Sequence, residues 1–489
     1  MTGTLLVLII FCGLWVIVRR IPNLALRVVS KVGPLIPWCG TAVEFGMDSM
    51  KFLKKYHARY GPTYVVHLAG RRTIIVNDLN VITDVMRNKT FDLPSNQMLE
   101  ALSGVKQNNP SAVYREFAGC VVKNFCNRAI PQLSPAFTSC LLRRIQELAD
   151  PAHNELISLQ QFVSRLQYEA ASVAVWGPKY PLHSYEDYHT IDSNLPHLLG
   201  PKIFLPRAVR ASRDGLMEKV GFYIKECWNE EAGMAGCSKA ATDMIRCLRS
   251  TSMRPDDIQV EVIAFLFALH SNPHRITTWL FIHLLSDTRA MSSLREEVDR
   301  AVDVTFGDLD TLLAATPQQL GPQSLPLLES AIIETLRLWH TAVSVREAVE
   351  NVELRTKDNE PPLVAYPGDM VMANGYAINM SNQYFDDSAT FKLDRFALSD
   401  MEGKKNRPGI VPVGNFGGGM HSCKGKDFAM YEMKIFVILC LRLLDIRAET
   451  KSGVPLDNRT HKANPVLTVP GFSMFPSEEV FVRVGKRTR

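Results

Sequence analysis

The stretch that most constrains this chain lies near its C-terminal end: Phe416-Gly417-Gly418-Gly419-Met420-His421-Ser422-Cys423-Lys424-Gly425. An apolar helical pattern (Phe428, Ala429, Met430, Ile435, Phe436, Leu439) begins just after it. Glycines let the backbone adopt positive φ and approach a flat ligand closely. A cysteine at the start of a helix lies beside unpaired N–H groups and the positive dipole end, which favour a thiolate. An iron ligand needs such an anionic sulfur in a tight, water-poor turn. The plain alternative is a Gly-rich turn holding an incidental buried thiol.

The rest of the chain must supply a core large enough to hold that turn. No internal repeat, low-complexity tract or polar linker divides the sequence after its N-terminal region, so it reads as one large core. A net charge of +5, with no dense Arg/Lys run, gives no reason to expect a nucleic-acid partner. The ten cysteines (12, 39, 120, 126, 140, 227, 237, 247, 423 and 440) form no C-x-x-C pair and no framework spacing. That pattern fits reduced thiols on the cytosolic side of a membrane and excludes a disulfide scaffold or a structural zinc site.

Residues 5–18 are an almost unbroken apolar run, closed by Arg19 and Arg20 and followed by Arg27 and Lys31. Its length fits a short membrane span or a signal-peptide core. The basic residues follow the run and none precedes it, which reads as an uncleaved anchor with the remainder in the cytosol. Val32-Gly33-Pro34-Leu35-Ile36-Pro37-Trp38 is a rigid hinge that cannot continue a helix. The expected division is therefore an anchor at 1–20, a hinge at 21–38 and one catalytic domain at 39–489.

Helical spacing over residues 50–60 stops at Gly61-Pro62, and the β-rich runs 63–68 and 73–76 read as a hairpin. Residues 94–110 read as a polar loop and 111–127 as a helix. Five prolines between 178 and 206 exclude long helices from that region, and 228–251 reads as surface. After Pro255, a suitable first helical residue, the chain is strongly apolar over 256–285, interrupted by His270-Ser271-Asn272-Pro273-His274-Arg275. This is a core helix kinked at Pro273, not a second membrane span. Residues 325–339 are helical and carry Glu334 and Arg337, whose i, i+3 spacing places both on one face. Residues 343–346 read as a strand ending in Arg346, and the tail from 467 to 484 reads as a hairpin.

The spacing Phe-x-x-Gly-x-(Arg/His)-x-Cys-x-Gly, matched by Phe416, Gly419, His421, Cys423 and Gly425, resembles the haem-binding signature of the cytochromes P-450. Glu334-x-x-Arg337 and the stretch Asp394-Arg395-Phe396 resemble two further elements of that family, with Leu393-Asp394 in place of the usual Pro-Glu. The likeness covers essentially the whole chain after the anchor and is of the membrane-anchored eukaryotic, fungal type. The Ile-Pro-Trp hinge and Asn272 are similar to the branch holding prostacyclin synthase and the sterol hydroxylases.

The resemblance implies a mainly α fold with small β-sheets and haem iron bound by the Cys423 thiolate. It implies a buried network of Glu334, Arg337 and Arg395 behind the ligand loop, with the Asp394 carboxylate beside it. Arg346 and His421 are the expected propionate partners, with a surface ion pair the alternative for Arg346; Lys123 is the candidate substitute for a missing Trp-x-x-x-Arg, though a solvated lysine is the better reading of it. Residues 94–110 would lie over the haem and 178–215 would form an access lid. Lys424, Lys426 and Lys434 would dock an acidic redox partner.

The implied reaction is monooxygenation of a lipophilic small molecule from specialised metabolism, at the endoplasmic reticulum membrane. Electrons would come from NADPH through a flavoprotein reductase or a cytochrome b-type donor. The family's distal acid–threonine pair is absent, and Ala268-Leu269-His270-Ser271-Asn272 stands in its place. His270 and Asn272 are the candidate distal catalytic residues, and His270 also suits a core histidine. The missing pair keeps open a reductase-independent isomerase, dehydratase or lyase. A non-catalytic haem sensor or electron carrier is the reading from a different class.

Overall fold

The computed structural model describes residues 40–105, 110–150, 155–200, 205–229, 234, 236–251, 255–355, 362–397, 412–451, 465–466 and 469–488. The expected anchor and hinge lie outside the described residues. Among the described residues, no helix is long and apolar enough to cross a membrane. The chain divides into two compact units, Met1–Leu93 with Ser344–Asn374, and Pro94–Val343 with Gly375–Arg489.

The smaller unit is built on a five-stranded sheet. The strands Thr63–Leu68 and Arg71–Val76 form the expected antiparallel hairpin, and Arg71–Val76 then pairs in parallel with Met370–Asn374. Val343–Ala348 and Phe91–Asp92 complete the sheet in antiparallel register. Val65, Val66, Ile74, Ile75 and Val76 are buried, the β-branched content expected of a strand covered on both faces. Helix Ser49–Tyr60 is started by Asp48, whose carboxylate accepts the Lys51 N–H at 2.9 Å. Two polar pairs stitch the unit together: the half-buried Arg72 with Asp369, and the buried Asn374 Nδ2 with Asn77 Oδ1 at 2.8 Å.

The larger unit is helical. Its core is the helix Lys426–Leu443, apolar nearly all round, with Phe428, Tyr431, Ile435, Phe436 and Leu439 at most 1% exposed. Burial of each such side chain contributes roughly 1.5–3 kcal/mol. Against it pack Ser134–Leu148, Leu159–Trp176, Pro273–Ser286 and Pro326–Trp339. The stacked indoles of Trp279 and Trp339, with centroids 3.6 Å apart, join the last two helices of that set.

Several readings of the sequence are corrected. Residues 94–110 are not a loop, because Ser95–Ser103 is a helix ended by Gly104, whose N–H reaches Glu100 O at 2.8 Å. Nor are residues 228–251 merely surface. Helix Lys239–Arg249 is capped by Ser238 and buries Ala240, Ala241, Met244, Ile245 and Leu248, an i, i+4 stripe. The C-terminal strand Phe481–Lys486 is not half of a tail hairpin. It lies between Leu444–Glu449 and Leu156–Ser158, and the hairpin there is Pro465–Val466 with Phe475–Pro476. The proline-rich region behaves as expected: its described residues before Pro206 hold the turn Leu182–Ser184 and the short helices Tyr185–Asp192 and Leu195–Leu199, and the long helix Arg207–Asn229 begins after it.

The central apolar segment is two helices, Pro255–His270 and Pro273–Ser286. Pro273 has no N–H to give the Leu269 carbonyl, so it serves as the first residue of a new helix. The kink expected at Pro273 is thus a two-residue break.

Candidate active site

The loop before helix Lys426–Leu443 closes on itself. The Cys423 N–H donates to Phe416 O at 2.7 Å, the Gly417 N–H to Gly414 O at 3.0 Å, and the Ser422 N–H to Gly419 O at 3.2 Å. Gly417 sits at φ +67°, and a Cβ there would lie 2.8 Å from the His421 carbonyl oxygen, so only glycine fits. Gly419 opens the short turn Gly419–His421, and Gly425 precedes the helix. His421 is half-buried in that turn, while Phe416 packs against the core with the Lys426 ammonium 5.5 Å from its ring centroid.

Among the eight described cysteines, all free, Cys423 alone is exposed. Its thiol is reachable at one surface while protein surrounds the rest of it. Burial pushes the thiol up, against the Gly425 N–H and the charges of Lys424 and Lys426. The helix start alone therefore does not produce the anion. Ligation must do it, by exchanging the thiol proton for a metal. An accessible soft sulfur in a turn too tight for a Cβ fits a flat, iron-bearing group.

Behind the loop lies a buried charge network. Arg337 grips Glu334 with two parallel bonds, Nε to Oε2 at 2.7 Å and Nη2 to Oε1 at 2.8 Å, and both side chains are fully buried. Arg395 Nε reaches Glu334 Oε1 at 2.8 Å. The Asp394 carboxylate is exposed and takes no part, so the expected carboxylate–arginine–aromatic trio is not formed there. Phe396 is held through its backbone, whose N–H donates to Ser330 Oγ at 2.9 Å.

The residue that sequence reasoning missed is Asn379. Arg337 Nη1 donates to Asn379 O and to Ser388 O, each at 2.6 Å. The fully buried Asn379 side chain then accepts the Val413 N–H at 2.8 Å and donates to Val413 O at 3.1 Å and Asn415 Oδ1 at 3.2 Å. Asn379 thus carries the rigidity of the charge network to the residues that open the Cys423 loop. A lone Asn after an apolar stretch carries no signal that would have picked it out.

The break in the central helix holds a second network. Asp192, the last residue of helix Tyr185–Asp192, is completely buried. Its Oδ1 accepts from Arg275 Nη2 at 2.7 Å and Ser271 Oγ at 2.5 Å, and its Oδ2 from His274 Nε2 at 3.0 Å. Burial pushes this carboxyl up, yet the Arg275 guanidinium and the His274 hydrogen bond together hold it well below the usual carboxylate range. Arg275 Nη1 also donates to Ser473 O at 2.9 Å, and its guanidinium lies 4.0 Å from the Phe475 ring centroid.

The two candidate distal residues are placed as follows. His270 Nε2 meets Ser172 Oγ at 3.2 Å, and its ring packs on Tyr168 at 4.5 Å and Tyr188 at 5.6 Å. Burial pulls its pKa down to about 3, so it is neutral. Asn272 Oδ1 accepts the Ser473 N–H at 2.7 Å, which ties the break to the C-terminal loop. The central helix brings no carboxylate of its own here, but Asp192 brings one from another helix, beside the Ser271 hydroxyl.

Other expected residues fall differently. Lys434 is buried, bonded to Leu320 O at 2.9 Å and paired with Glu329, so it cannot dock a partner. Lys424 Nζ donates to Met420 O at 2.8 Å within its own loop, and Lys426 is exposed. Lys123 is exposed, with its nearest carboxylate oxygen, on Asp243, 3.9 Å away. Arg346 belongs to the smaller unit, where it is buried and donates to Val345 O at 2.9 Å.

A family profile described as "Cytochrome P450" (here P-450) matches residues 31–472. The chain is 24% identical over 461 residues to cytochrome P-450 7B1 of Mus musculus, covering 86% of this chain and 85% of that one. It is 23% identical over 469 residues to a cholesterol 7-alpha-monooxygenase of Cricetulus griseus, 90% of each chain. It is 22% identical over 452 residues to prostacyclin synthase of Bos taurus, 85% of this chain and 86% of that one.

Proposed function

The chain belongs to the cytochrome P-450 family, an oxidoreductase family with cysteine-ligated haem, and from that premise we propose a membrane-tethered monooxygenase of specialised metabolism. It inserts one oxygen atom from dioxygen into a lipophilic small molecule, with electrons from NADPH through a flavoprotein reductase. The observation that carries this reading is the Cys423 turn, an accessible sulfur held by the Glu334–Arg337–Asn379 network. Bound haem supplies the activation of oxygen.

In this reading the chain's own residues do four things. Cys423 holds the iron, and the Gly417 turn lets backbone approach the ring. Arg337 and Asn379 keep the sulfur in place. His421 meets a haem propionate. Ser271 and Asp192 offer a hydroxyl and a carboxylate at the distal helix break, groups of the kind that pass protons.

Sterol-type relatives support a polycyclic, mostly apolar substrate, because two of the names among them are cholestane or cholestenone 12-alpha-hydroxylases. The N-terminal 1–20 tethers the 39–489 catalytic part to the endoplasmic reticulum membrane through the 21–38 hinge. Removing residues 1–38 should move the protein from the membrane pellet to the supernatant on fractionation.

A second reading, a redox-neutral haem-thiolate isomerase or lyase, draws on the neutral His270, the tethered Asn272 and the likeness to prostacyclin synthase. The two part in a metabolite comparison between the native strain and one lacking the gene, each grown under heavy dioxygen. A product one labelled oxygen heavier than the compound accumulating in the deletion supports the monooxygenase. Product of unchanged mass, or lighter by water without label, overturns it in favour of rearrangement.

A further inference from the structure

Away from the Cys423 loop, two thiols and a phenol meet at the end of helix Arg207–Asn229. Tyr223 and Cys227, four residues apart, share a face of that helix, and both are buried. Tyr223 Oη donates to Trp176 O at 2.5 Å and stands 3.2 Å from Cys237 Sγ. The Cys227 and Cys237 thiols influence one another's titration across this helix end.

The backbone at Cys237 is fixed rather than free to drift. Its N–H donates to Met234 O at 3.0 Å, and the next residue, Ser238, bonds Val175 O through Oγ at 2.6 Å. Gly177, at φ +85°, packs so closely on this turn that a Cβ would lie 2.3 Å from Gly236 O. The two sulfurs are therefore held together by packing against the end of helix Leu159–Trp176.

The pair is asymmetric. The Cys227 thiol, then the Tyr223 hydroxyl and the Lys179 charge, hold the Cys237 thiol below the ordinary thiol range against the opposing effect of burial. The Cys237 thiol, and then burial, push the Cys227 thiol up. Cys237 is partly exposed, whereas Cys227 is fully buried. An accessible acidic thiol beside a buried neutral one is the arrangement of an attacking and a resolving cysteine.

We propose that Cys237 and Cys227 form a hydroperoxide-responsive dithiol, with Cys237 the attacking sulfur and Cys227 the resolving one. The Cys237 thiolate attacks one peroxide oxygen and the O–O bond breaks. The alcohol or water leaves with a proton, and Cys237 becomes a sulfenic acid. Sulfur has then lost two electrons and the peroxide has gained them. The Cys227 sulfur next attacks that sulfur, the S–O bond breaks, water leaves with the thiol proton, and a disulfide forms. The sum is two thiols and one hydroperoxide giving one disulfide, one alcohol (or water) and one water. The bond would close the chain between helix Arg207–Asn229 and the turn before Lys239–Arg249, independently of what binds at Cys423.

The test treats the haem-loaded full-length protein with increasing hydrogen peroxide, quenches it with an alkylating agent and maps every cysteine by mass spectrometry. Trypsin releases both cysteines on one peptide, residues 226–239, because no Lys or Arg lies between Lys225 and Lys239. The expected product is that peptide two mass units lighter, carrying no alkyl group, restored by dithiothreitol, and formed at lower peroxide than oxidation of Cys126. In Cys227→Ala, Cys237 should run on to the sulfinic acid and lose about tenfold in alkylation rate at neutral pH, one pKa unit of lost acidity. Should the buried change prevent folding, Cys237→Ser keeps the test open, leaving Cys227 alkylatable at every dose. The proposal is overturned if the native peptide stays doubly alkylated until after Cys126 is oxidised. It is equally overturned if Cys237 reaches the sulfinic acid while Cys227 is still alkylated.

Discussion

Two buried charge networks in the larger unit do opposite jobs with similar parts. The one behind Cys423 starts from a pair one helical turn apart, Glu334 and Arg337, and spends its remaining donors on the backbone carbonyls of Asn379 and Ser388. It holds a loop. The one at the central break starts from Asp192 and gathers Ser271, His274 and Arg275 from a distant part of the chain. It holds a helix that Pro273 has cut. The difference teaches that a buried carboxylate–guanidinium pair serves as whatever its spare hydrogen bonds touch: an anchor for a ligand turn in one case, a clasp over a broken helix in the other.

The largest expected separation between the two comes from Arg337→Ala. It leaves two carbonyls and part of Glu334 unpaired in the interior, costing about 3–5 kcal/mol. Haem content, measured as the ratio of haem to protein absorbance, should collapse. Normal haem loading in this variant would remove the anchor role. Asp192→Asn should cost less, about 2–3 kcal/mol in denaturant unfolding, because the amide still accepts some of the bonds. It should leave haem loading near normal while lowering product formed per NADPH consumed. If both variants lose haem alike, the division of labour between the networks is wrong.

Acid sharpens the same contrast. His270 at the break and His283, which accepts the Trp339 Nε1–H at 2.7 Å, both have their pKa pulled down to about 3 by burial. A folded pKa below the unfolded value of about 6.5 gives stability that is complete above that value and is lost as pH falls towards 3. Between pH 7 and pH 5 each histidine should cost about 2 kcal/mol of unfolding free energy. His270→Asn and His283→Asn should each flatten the measured pH dependence by that amount, and an unchanged slope would mean the ring is solvated. Asn379→Ala is the smallest expected change, about 1–2 kcal/mol from unpaired Val413 and Asn415 groups. Its signature is faster haem transfer to an apo-globin acceptor, alongside an unfolding free energy lowered by no more than that amount.

The sequence made one network plain and hid the other for a physical reason. Glu334 and Arg337 lie within one helical turn, and the Cys423 turn is written in consecutive glycines, so the resemblance to the cytochromes P-450 picks them out where spacing alone does not. Asp192 and Asn379 meet their partners only after the chain has folded, and their identity alone says nothing. Helix Ser95–Ser103 was hidden by its shortness and polar content, and Lys239–Arg249 by the charged and polar residues that interrupt its buried stripe. Lys434 was misread because a lysine's stem and ammonium can both be satisfied indoors, here by Leu320 O and Glu329.

The most direct test of the account is X-ray absorption at the iron edge, on the haem-loaded protein and on its Cys423→Ala variant. The account predicts one sulfur bonded to iron in the native protein and none in the variant. An iron with only nitrogen and oxygen neighbours in the native protein, or a sulfur that survives the substitution, would contradict it.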